Sequence, residues 1–461
     1  MGPRSGGSVS TDRHGLTVTL LAWSIASGSV LILLLARGSE YFSGFISASD
    51  TASYMRLARA MAFEGRLIPS ERTLGYPAMI APCLRTLGEG QGCVLLVVIQ
   101  VLIALGMGYT TWRLTGRLFP DAGIGRKALL STAVWLGSLG YAFYVLSDLP
   151  ASLAFFVFLY GALFWRHRTG LILAALALGF ATLLRPSFTM FPVLIPWLGY
   201  LFHRMRTGTA PMALVLAVVC SFMATFANTA YQYRYNHYLG PSPVSTMNCR
   251  KLLGLLDPVE TAERNFEARA QARMGHAFHE LGTADQERVA VAVMAHELSD
   301  RPLQFGAAVG TTFLKYLLAP IESLAWRFAG KLPRESLDWR IRGLLVLLTA
   351  PLFLLASLPP PTRDERTRTY YLIVMTCVVY VLGLSAFVPY QGERMRLPVL
   401  PLLVTCAAMN WDAWRRLIAP PRVRSRRAET SGADDSPPVG PSPGTQWGPT
   451  ERPSPSPPGR S

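Results

Sequence analysis

Four short segments of this chain combine carboxylates, arginines and tyrosines at spacings that favour chemistry. The first, DTASYMRLARAMAFEG followed by RTLGYPAMIAP, contains Asp50, Tyr54, Arg56, Arg72 and Tyr76. A carboxylate beside several arginines can deprotonate a hydroxyl while the arginines hold a phosphate-bearing molecule. If that phosphate leaves during the reaction, arginine donors stabilise the charge that develops on its oxygens. The segment therefore predicts a centre for acid–base chemistry beside a phosphate.

Three later segments carry the remaining candidates. LSDLPASLAFF contains Asp148, LRPSF contains Arg185, and ERMRLPVLPLL contains Glu393, Arg394 and Arg396. We predict that Asp50 and Asp148 are catalytic residues. The predicted substrate-binding residues are Tyr54, Arg56, Arg72, Tyr76, Arg185, Glu393, Arg394 and Arg396.

Each candidate also has a purely structural interpretation. Asp50 is a favourable N-cap for a following helix, and Asp148 precedes Pro150, which suits a first helical turn. Arg185 and Arg394 are long enough to reach lipid phosphates without a specific ligand. No Cys/His spacing resembles a zinc site and no acid pair has metal-ligand spacing. We therefore predict no cofactor or metal site and leave the metal requirement of the reaction open.

The composition indicates which elements must position these residues. Of the 461 residues, 51% are hydrophobic and 16% are charged, whereas soluble domains carry about 25% charged residues. The apolar residues are grouped in long uncharged runs, which soluble cores do not show. The predicted fold class is an all-α polytopic membrane protein.

The net charge of +16 reflects basic residues that cluster in short loops between the apolar runs. This pattern favours membrane topology and contact with anionic lipid head groups, and it excludes nucleic acid as the predicted partner.

About ten runs are candidates for transmembrane helices, which need about 20 apolar residues each. They lie near residues 16–36, 93–112, 128–146, 149–165, 170–184, 188–202, 211–230, 340–358, 369–388 and 396–411. The arginine-rich short loops fall on one side if both termini are cytoplasmic. The predicted first outer loop also carries arginines, although the positive-inside rule disfavours basic residues outside. These arginines therefore indicate a functional role for the loop.

The predicted organisation follows from these spans. It comprises a cytoplasmic N-terminus (1–15), a transmembrane catalytic core (16–230) with a first outer loop (37–92), an extracytoplasmic and interfacial helical segment (231–339), C-terminal transmembrane helices (340–414) and a disordered Pro/Ser/Arg-rich cytoplasmic tail (415–461). Within 231–339 we predict helices over 258–281 and 284–299. We assign 303–326 to the membrane interface, because counting it as a span would break the topology.

The site is predicted at the outer face of the cell membrane. Charged residues are absent from the middle of the spans, whereas ion-coupled transporters usually bury ionisable residues there. A lipid-facing wall of roughly 30 Å around such a site suits a donor carried on a polyprenyl chain.

The order of these motifs resembles that of the C-type (GT-C fold) membrane glycosyltransferases, in the branch of protein mannosyltransferase-like and aminoarabinose transferase-like enzymes. The similarity runs from about Leu16 to Trp414 and includes PSPVSTMNCRKLLG besides the segments quoted above. It implies a polyprenyl-phosphate sugar donor, an acceptor hydroxyl and inversion at the anomeric carbon.

The resemblance also implies roles for residues of the first loop. Asp50 matches the family's first-loop aspartate that acts as the base, and Tyr54 matches the aromatic residue that follows it. Arg72 lies near the position where a basic residue of the family holds the phosphate. The chain departs from protein mannosyltransferases by Thr51 in place of a paired acid. It departs from aminoarabinose transferases by Ser53 in place of a basic residue, so the acceptor stays open between protein, lipid and polysaccharide.

In the later segments, Asp148 matches the family's second-loop acid, and Arg394 and Arg396 match the arginines before the last helix. The leading hypothesis is a glycosyltransferase that moves a sugar from a polyprenyl-phosphate donor to an extracytoplasmic acceptor. The alternative is a non-catalytic transporter of lipid-linked saccharide, for which internal repeats and a polar mid-membrane cavity are typical.

Overall fold

The computed structural model describes residues 7–36, 49–205, 211–242, 283–319, 338–387 and 392–418, with a few positions between 256 and 281. These residues form α-helices and short 3-10 or π-helical turns, and the described ranges contain no β-strand. The all-α polytopic class predicted from the sequence is confirmed. Three predicted features lie largely or wholly outside the described residues: the start of the first outer loop, the helix over 258–281 and the C-terminal tail.

The described residues form a series of α-helices. In the first half they are α1 (Gly7–Ala36), α2 (Ser49–Arg59), α3 (Gly75–Leu118), α4 (Ile124–Ala142), α5 (Asp148–Phe164), α6 (Arg168–Leu184) and α7 (Ile195–Arg204). In the second half they are α8 (Pro211–Asn236), α9 (Thr283–Asp300), α10 (Pro302–Leu318), α11 (Asp338–Ser357), α12 (Glu365–Ala386) and α13 (Leu400–Ile418). The described residues up to Leu417 belong to one compact unit.

Four of the described helices are long and apolar enough to cross a membrane. They are Thr11–Ala36 in α1, Gly75–Leu118, Met212–Asn236 in α8 and Glu365–Ala386. Helices α5 and α6 are apolar but shorter, with 17 residues each. The predicted count of about ten spans, like the predicted domain boundaries, stays a prediction.

Helix α3 is two helical arms joined at a sharp kink. Gly88 has φ 73° and ψ 178°, a backbone conformation that residues with a Cβ rarely adopt. Gly92 then lies so close to the first arm that a Cβ atom there would be 2.6 Å from the carbonyl oxygen of Cys83. The kink separates the long apolar arm from the short first arm, which begins with Gly75 and Tyr76.

Helix α2 is amphipathic and packs on α3. Its buried face includes Tyr54, Met55 and Ala58, whereas Arg56 is exposed. Residues three and four positions apart share a face of an α-helix, so this pattern fixes which side of α2 meets the protein. A π-helical turn, Ala60–Glu64, follows α2 directly.

Packing between helices brings the ends of distant segments of the chain together. Helix α6 packs along both α5 and α8. A 3-10 helix, Gly392–Val399, packs against α5, α10 and α12. Asp148 at the start of α5, Arg185 at the end of α6 and Arg394 in the 3-10 helix thereby reach one region.

Two predictions for the segment between α8 and α11 can be followed in the structure. The helix predicted over 284–299 is present as α9, and its residues Val289, Ala290 and Val293 pack with Phe266. The apolar segment predicted at the membrane interface, 303–326, begins with α10, which packs on α12. The placement of α10 relative to a membrane stays a prediction.

Candidate active site

Two aspartates and three arginines form one ion-pair network. Arg72 Nη2 lies 2.7 Å from Asp50 Oδ1, and Arg394 Nη2 lies 3.1 Å from Asp50 Oδ2. Arg185 Nη1 lies 2.9 Å from Asp148 Oδ1, and Arg394 Nη1 lies 4.0 Å from Asp148 Oδ2. Arg394 is therefore shared between the two carboxylates and links them into a single centre.

Asp50 lies in the first turn of α2, and each of its carboxylate oxygens accepts a hydrogen bond from a different arginine. Its side chain is 26% exposed, compared with 13% for Arg72 and 18% for Arg394. The carboxylate is thus more accessible to solvent than either of its two arginine partners. Both carboxylate oxygens of Asp50 accept hydrogen bonds from arginine. A helix cap alone would not need these two arginine contacts.

Asp148 and Arg185 are held by the ends of neighbouring helices. Asp148 begins α5 and is buried, with Pro150 in the first turn behind it. Arg185 ends α6 in an extended conformation, φ −138° and ψ 125°, because Pro186 disfavours a helical conformation for the residue before it. The Arg185 guanidinium also lies 3.3 Å from the sulfur of Met395, next to Arg394 in the chain.

Two buried tyrosines line the same centre. Tyr54 Oη lies 3.0 Å from Ser147 Oγ, and the Tyr54 ring meets the Tyr76 ring edge-on at 5.0 Å. The Arg72 guanidinium lies 5.1 Å from the centroid of the Tyr54 ring, within the range of a cation–π contact. No residue that the structure describes is a hydrogen-bond partner of Tyr76 Oη or of Arg72 Nε, although both atoms are buried.

The charges of the network shift the pKa of Asp50 and of Arg394. Burial by itself would raise the pKa of Asp50, but the Arg72 and Arg394 charges outweigh it and the pKa is lowered. Burial by itself would lower the pKa of Arg394, but the charges of Asp148 and Asp50 raise it. By formal charge, three arginines against two aspartates leave the network with one net positive charge.

Three of the predicted site residues are placed elsewhere or fall outside the description. Arg56 is on the exposed face of α2 and donates to the carbonyl oxygen of Pro69 at 3.2 Å. Arg396 is buried and donates to the carbonyl oxygens of Tyr316 and Leu317, at 3.3 and 2.7 Å. The side chain of Glu393 lies outside the described residues. The structure thus brings Asp50, Asp148, Tyr54, Tyr76, Arg72, Arg185 and Arg394 together.

Sequence reasoning missed a set of uncharged residues beside this centre. Asn228, Tyr231, Gln232 and Asn236 at the end of α8 contact the segment that carries Arg72. The sequence contains a pattern that predicts this set, because the amide residues Asn228, Gln232 and Asn236 recur every four positions and so share a helix face. A search for charged residues alone passes over it.

The described residues contain no group of three His, Cys, Asp or Glu side chains arranged to hold a metal ion. The carboxylates of the centre are instead neutralised by arginine.

Two solved structures are similar to the chain. They are crystal structures of ArnT from Cupriavidus metallidurans, one bound to undecaprenyl phosphate and the other in the apo state. The first has 13% sequence identity and a TM-score of 0.33, with 85% of this chain and 78% of that chain covered. The second has 14% identity and a TM-score of 0.34, with 85% and 77% covered. No protein-family model matches the sequence, and no curated protein matches it.

Proposed function

We propose that this chain is an integral membrane glycosyltransferase of the C-type fold. It transfers a sugar from a polyprenyl-phosphate donor to an acceptor hydroxyl on the extracytoplasmic side, with inversion. The observation that carries the proposal is the Asp50 carboxylate held between two arginines, beside a second carboxylate–arginine pair. The acceptor is a protein, a lipid or a polysaccharide, and membrane lipids surround the donor chain.

In this proposal Asp50 is the general base. It takes the proton of the acceptor hydroxyl, and the acceptor oxygen attacks the anomeric carbon from the face opposite the phosphate. The bond between the anomeric carbon and the phosphate oxygen breaks, and its electron pair stays on that oxygen. Arg72 and Arg394 stabilise the charge that develops there, as preorganised donors do in phosphate-releasing reactions. One displacement inverts the configuration.

The net positive charge of the centre supports a donor with one negative charge. A phosphodiester that joins a sugar to a polyprenol carries one negative charge, which would balance the formal charge of +1 on the network. Arginine suits this task, because its planar guanidinium binds phosphate oxygens with two parallel hydrogen bonds. Arg72 Nε, buried and without a partner in the described ranges, supplies a donor for such a ligand.

The ion pairs of Asp50 with Arg72 and Arg394 allow donor binding to activate Asp50 as the base. A carboxylate with a lowered pKa is a weak base, and the best catalytic pKa lies near the operating pH. When the donor phosphate takes the Arg72 and Arg394 hydrogen bonds, the two arginines no longer outweigh burial, and the pKa of Asp50 rises. Binding of the donor and activation of Asp50 are then one event.

Donor binding tests the phosphate assignment in the full-length purified protein. The probe is undecaprenyl phosphate, and the compared variants are Arg72→Ala and Arg85→Ala. Arg85 is a matched control because it belongs to the same predicted loop, is exposed and lies outside the ion-pair network. Loss of a charge-assisted contact of about 1.5–3 kcal/mol predicts that Arg72→Ala binds on the order of 10- to 100-fold more weakly. Equal affinities for the two variants would contradict the proposal.

Topology is tested separately, with a membrane-impermeant thiol reagent applied to intact cells. A cysteine introduced at the exposed Arg66, in the predicted first outer loop, is expected to react from outside. A cysteine at the exposed Arg166, in a short loop predicted to be cytoplasmic, is expected to react only after the membrane is opened. The opposite labelling pattern would place the site on the cytoplasmic side.

A further inference from the structure

Arg72 lies at the end of a segment that forms no regular helix. Residues 65–74 connect the π-helical turn to α3. Backbone carbonyl groups in such a segment need hydrogen-bond donors from elsewhere, because a buried unpaired carbonyl is costly. The position of Arg72 therefore depends on what binds this backbone.

The last two turns of α8 supply most of those donors. Gln232 Nε2 donates to the carbonyl oxygens of Ser70 and Arg72, at 3.2 and 3.0 Å. Asn236 Nδ2 also donates to Ser70 O, at 2.9 Å, and Tyr231 Oη donates to Ile68 O at 2.6 Å. Gln232 is fully buried, so its amide has no competing access to water.

Asn228, one turn earlier in α8, joins the same segment to the end of α6. Its Oδ1 accepts a hydrogen bond from the backbone N–H of Leu74 at 3.0 Å. Its Nδ2 lies 3.4 Å from the carbonyl oxygen of Leu183, two residues before Arg185. Thr73 Oγ1 makes a parallel contact by donating to Leu184 O at 2.9 Å. The end of α8 thus fixes the backbone beside two of the three site arginines.

We propose that Asn228, Gln232 and Asn236 form an amide clamp that positions Arg72 for the donor phosphate, with Gln232 as its central residue. The proposal rests on the function proposed above, because it assigns the clamp's purpose to the phosphate contact of Arg72. Gln232 is a positioning residue, since it reaches the arginine through backbone carbonyls and not through the ligand. The clamp makes Arg72 available at the site before the donor arrives, which reduces the ordering cost of binding.

The perturbation that tests the clamp is Gln232→Leu, which removes both amide hydrogen bonds and keeps an apolar side chain of similar size. Asn410→Leu is the matched control. Asn410 is equally buried and donates to the carbonyl oxygens of Leu355 and Leu358 at 2.8 and 2.6 Å, outside the ion-pair network. Both variants lose comparable hydrogen bonds, so a general loss of stability affects both.

Two measurements on the full chain in detergent give the result. Hydrogen exchange of the peptide covering 65–74 is expected to be faster in Gln232→Leu than in Asn410→Leu. The affinity for undecaprenyl phosphate is expected to fall in Gln232→Leu, by up to the loss in Arg72→Ala, and to be unchanged in Asn410→Leu. Adding Gln232→Leu to Arg72→Ala is expected to weaken binding no further, because both changes remove the same contact. If Gln232→Leu fails to fold, the milder Asn236→Ala, at a half-buried position, replaces it.

The outcomes separate the two proposals. Normal affinity in Gln232→Leu, together with weak binding in Arg72→Ala, would overturn the clamp and leave the proposed function intact. Normal affinity in Arg72→Ala itself would overturn the phosphate role of Arg72, and the clamp's purpose with it. An additive loss in the double variant would show that Gln232 acts on binding by another route and would also overturn the clamp.

Discussion

Gly75 begins α3 directly before Tyr76, and the structure leaves no room for a side chain there. A Cβ atom on Gly75 would lie 2.7 Å from the carbonyl oxygen of Leu183, 2.8 Å from its carbonyl carbon and 2.9 Å from its Cγ. Optimal contacts between carbon atoms are about 3.5–4.0 Å. Two of the three atoms belong to the backbone of α6 and cannot rotate away. Gly75→Ala therefore forces the ends of α3 and α6 apart and is expected to destabilise the protein by about 1–3 kcal/mol.

The assay is equilibrium unfolding in mixed detergent micelles, with Gly383→Ala as the control. Gly383 lies inside α12, and no neighbouring heavy atom is within 4 Å of a Cβ atom at this position. Alanine is a better helix former than glycine, so Gly383→Ala is expected to be neutral or to stabilise by about 0.5–1 kcal/mol. A Gly75→Ala protein as stable as Gly383→Ala would refute the close approach of α3 to α6 and with it the placement of Tyr76.

Two further predictions concern the ion-pair network. Double-mutant cycles with Arg394→Met are expected to give a coupling of about 1–2 kcal/mol to Asp50, which Arg394 contacts by a hydrogen bond. The coupling to the buried Asp148, 4.0 Å away, is expected to be of similar size, because the Asp148 charge also raises the pKa of Arg394. Absence of coupling to either aspartate would contradict a shared arginine. The lowered pKa of Asp50 means that its ionisation stabilises the fold above its unfolded pKa, about 3.9, and that this contribution is lost as pH falls through the folded pKa. Arg72→Met removes the positive charge beside Asp50 and raises the pKa of Asp50. The stability that ionised Asp50 contributes is therefore expected to be lost at higher pH than in the wild type. Identical acid unfolding profiles of the two proteins would contradict this.

The helices were predictable because apolar runs determine them locally. Long uncharged runs predict membrane helices from length and composition alone, and α1, α3, α8 and α12 follow that rule. The break at Gly88 inside α3 was not predicted, since glycine tolerates a helix as well as a kink. Which of these it adopts depends on packing against the rest of the chain.

The grouping of site residues was predictable only in part. Asp50 and Arg394 are 344 positions apart, and membrane sidedness together with the family resemblance placed them on one face without fixing a distance. Arg394 and Arg396 are separated by the 3-10 geometry of 392–399, in which residues two apart point about 120° away from each other. Arg56 likewise lies about 120° around α2 from Asp50, whereas Tyr54 lies only about 40° away. Residue type identified the candidates, and helix phase decided which of them meet.

Asp50 is the residue on which the proposed mechanism depends, and Asp50→Asn tests it most directly. The substitution keeps the shape of the side chain but removes its capacity to accept the acceptor's proton. Asp121→Asn, at an exposed position between α3 and α4, is the matched control. Both variants are purified and checked for folding before comparison.

The decisive measurement is the release of undecaprenyl phosphate from a panel of undecaprenyl-phosphate sugars by each variant, together with retention of the donor lipid. A positioned base contributes about 10²–10⁴-fold in rate. Asp50→Asn is therefore expected to lose turnover by that factor while it retains the donor on Arg72 and Arg394, and Asp121→Asn is expected to behave as the wild type. Near-normal turnover in Asp50→Asn would contradict the account and remove Asp50 from the mechanism.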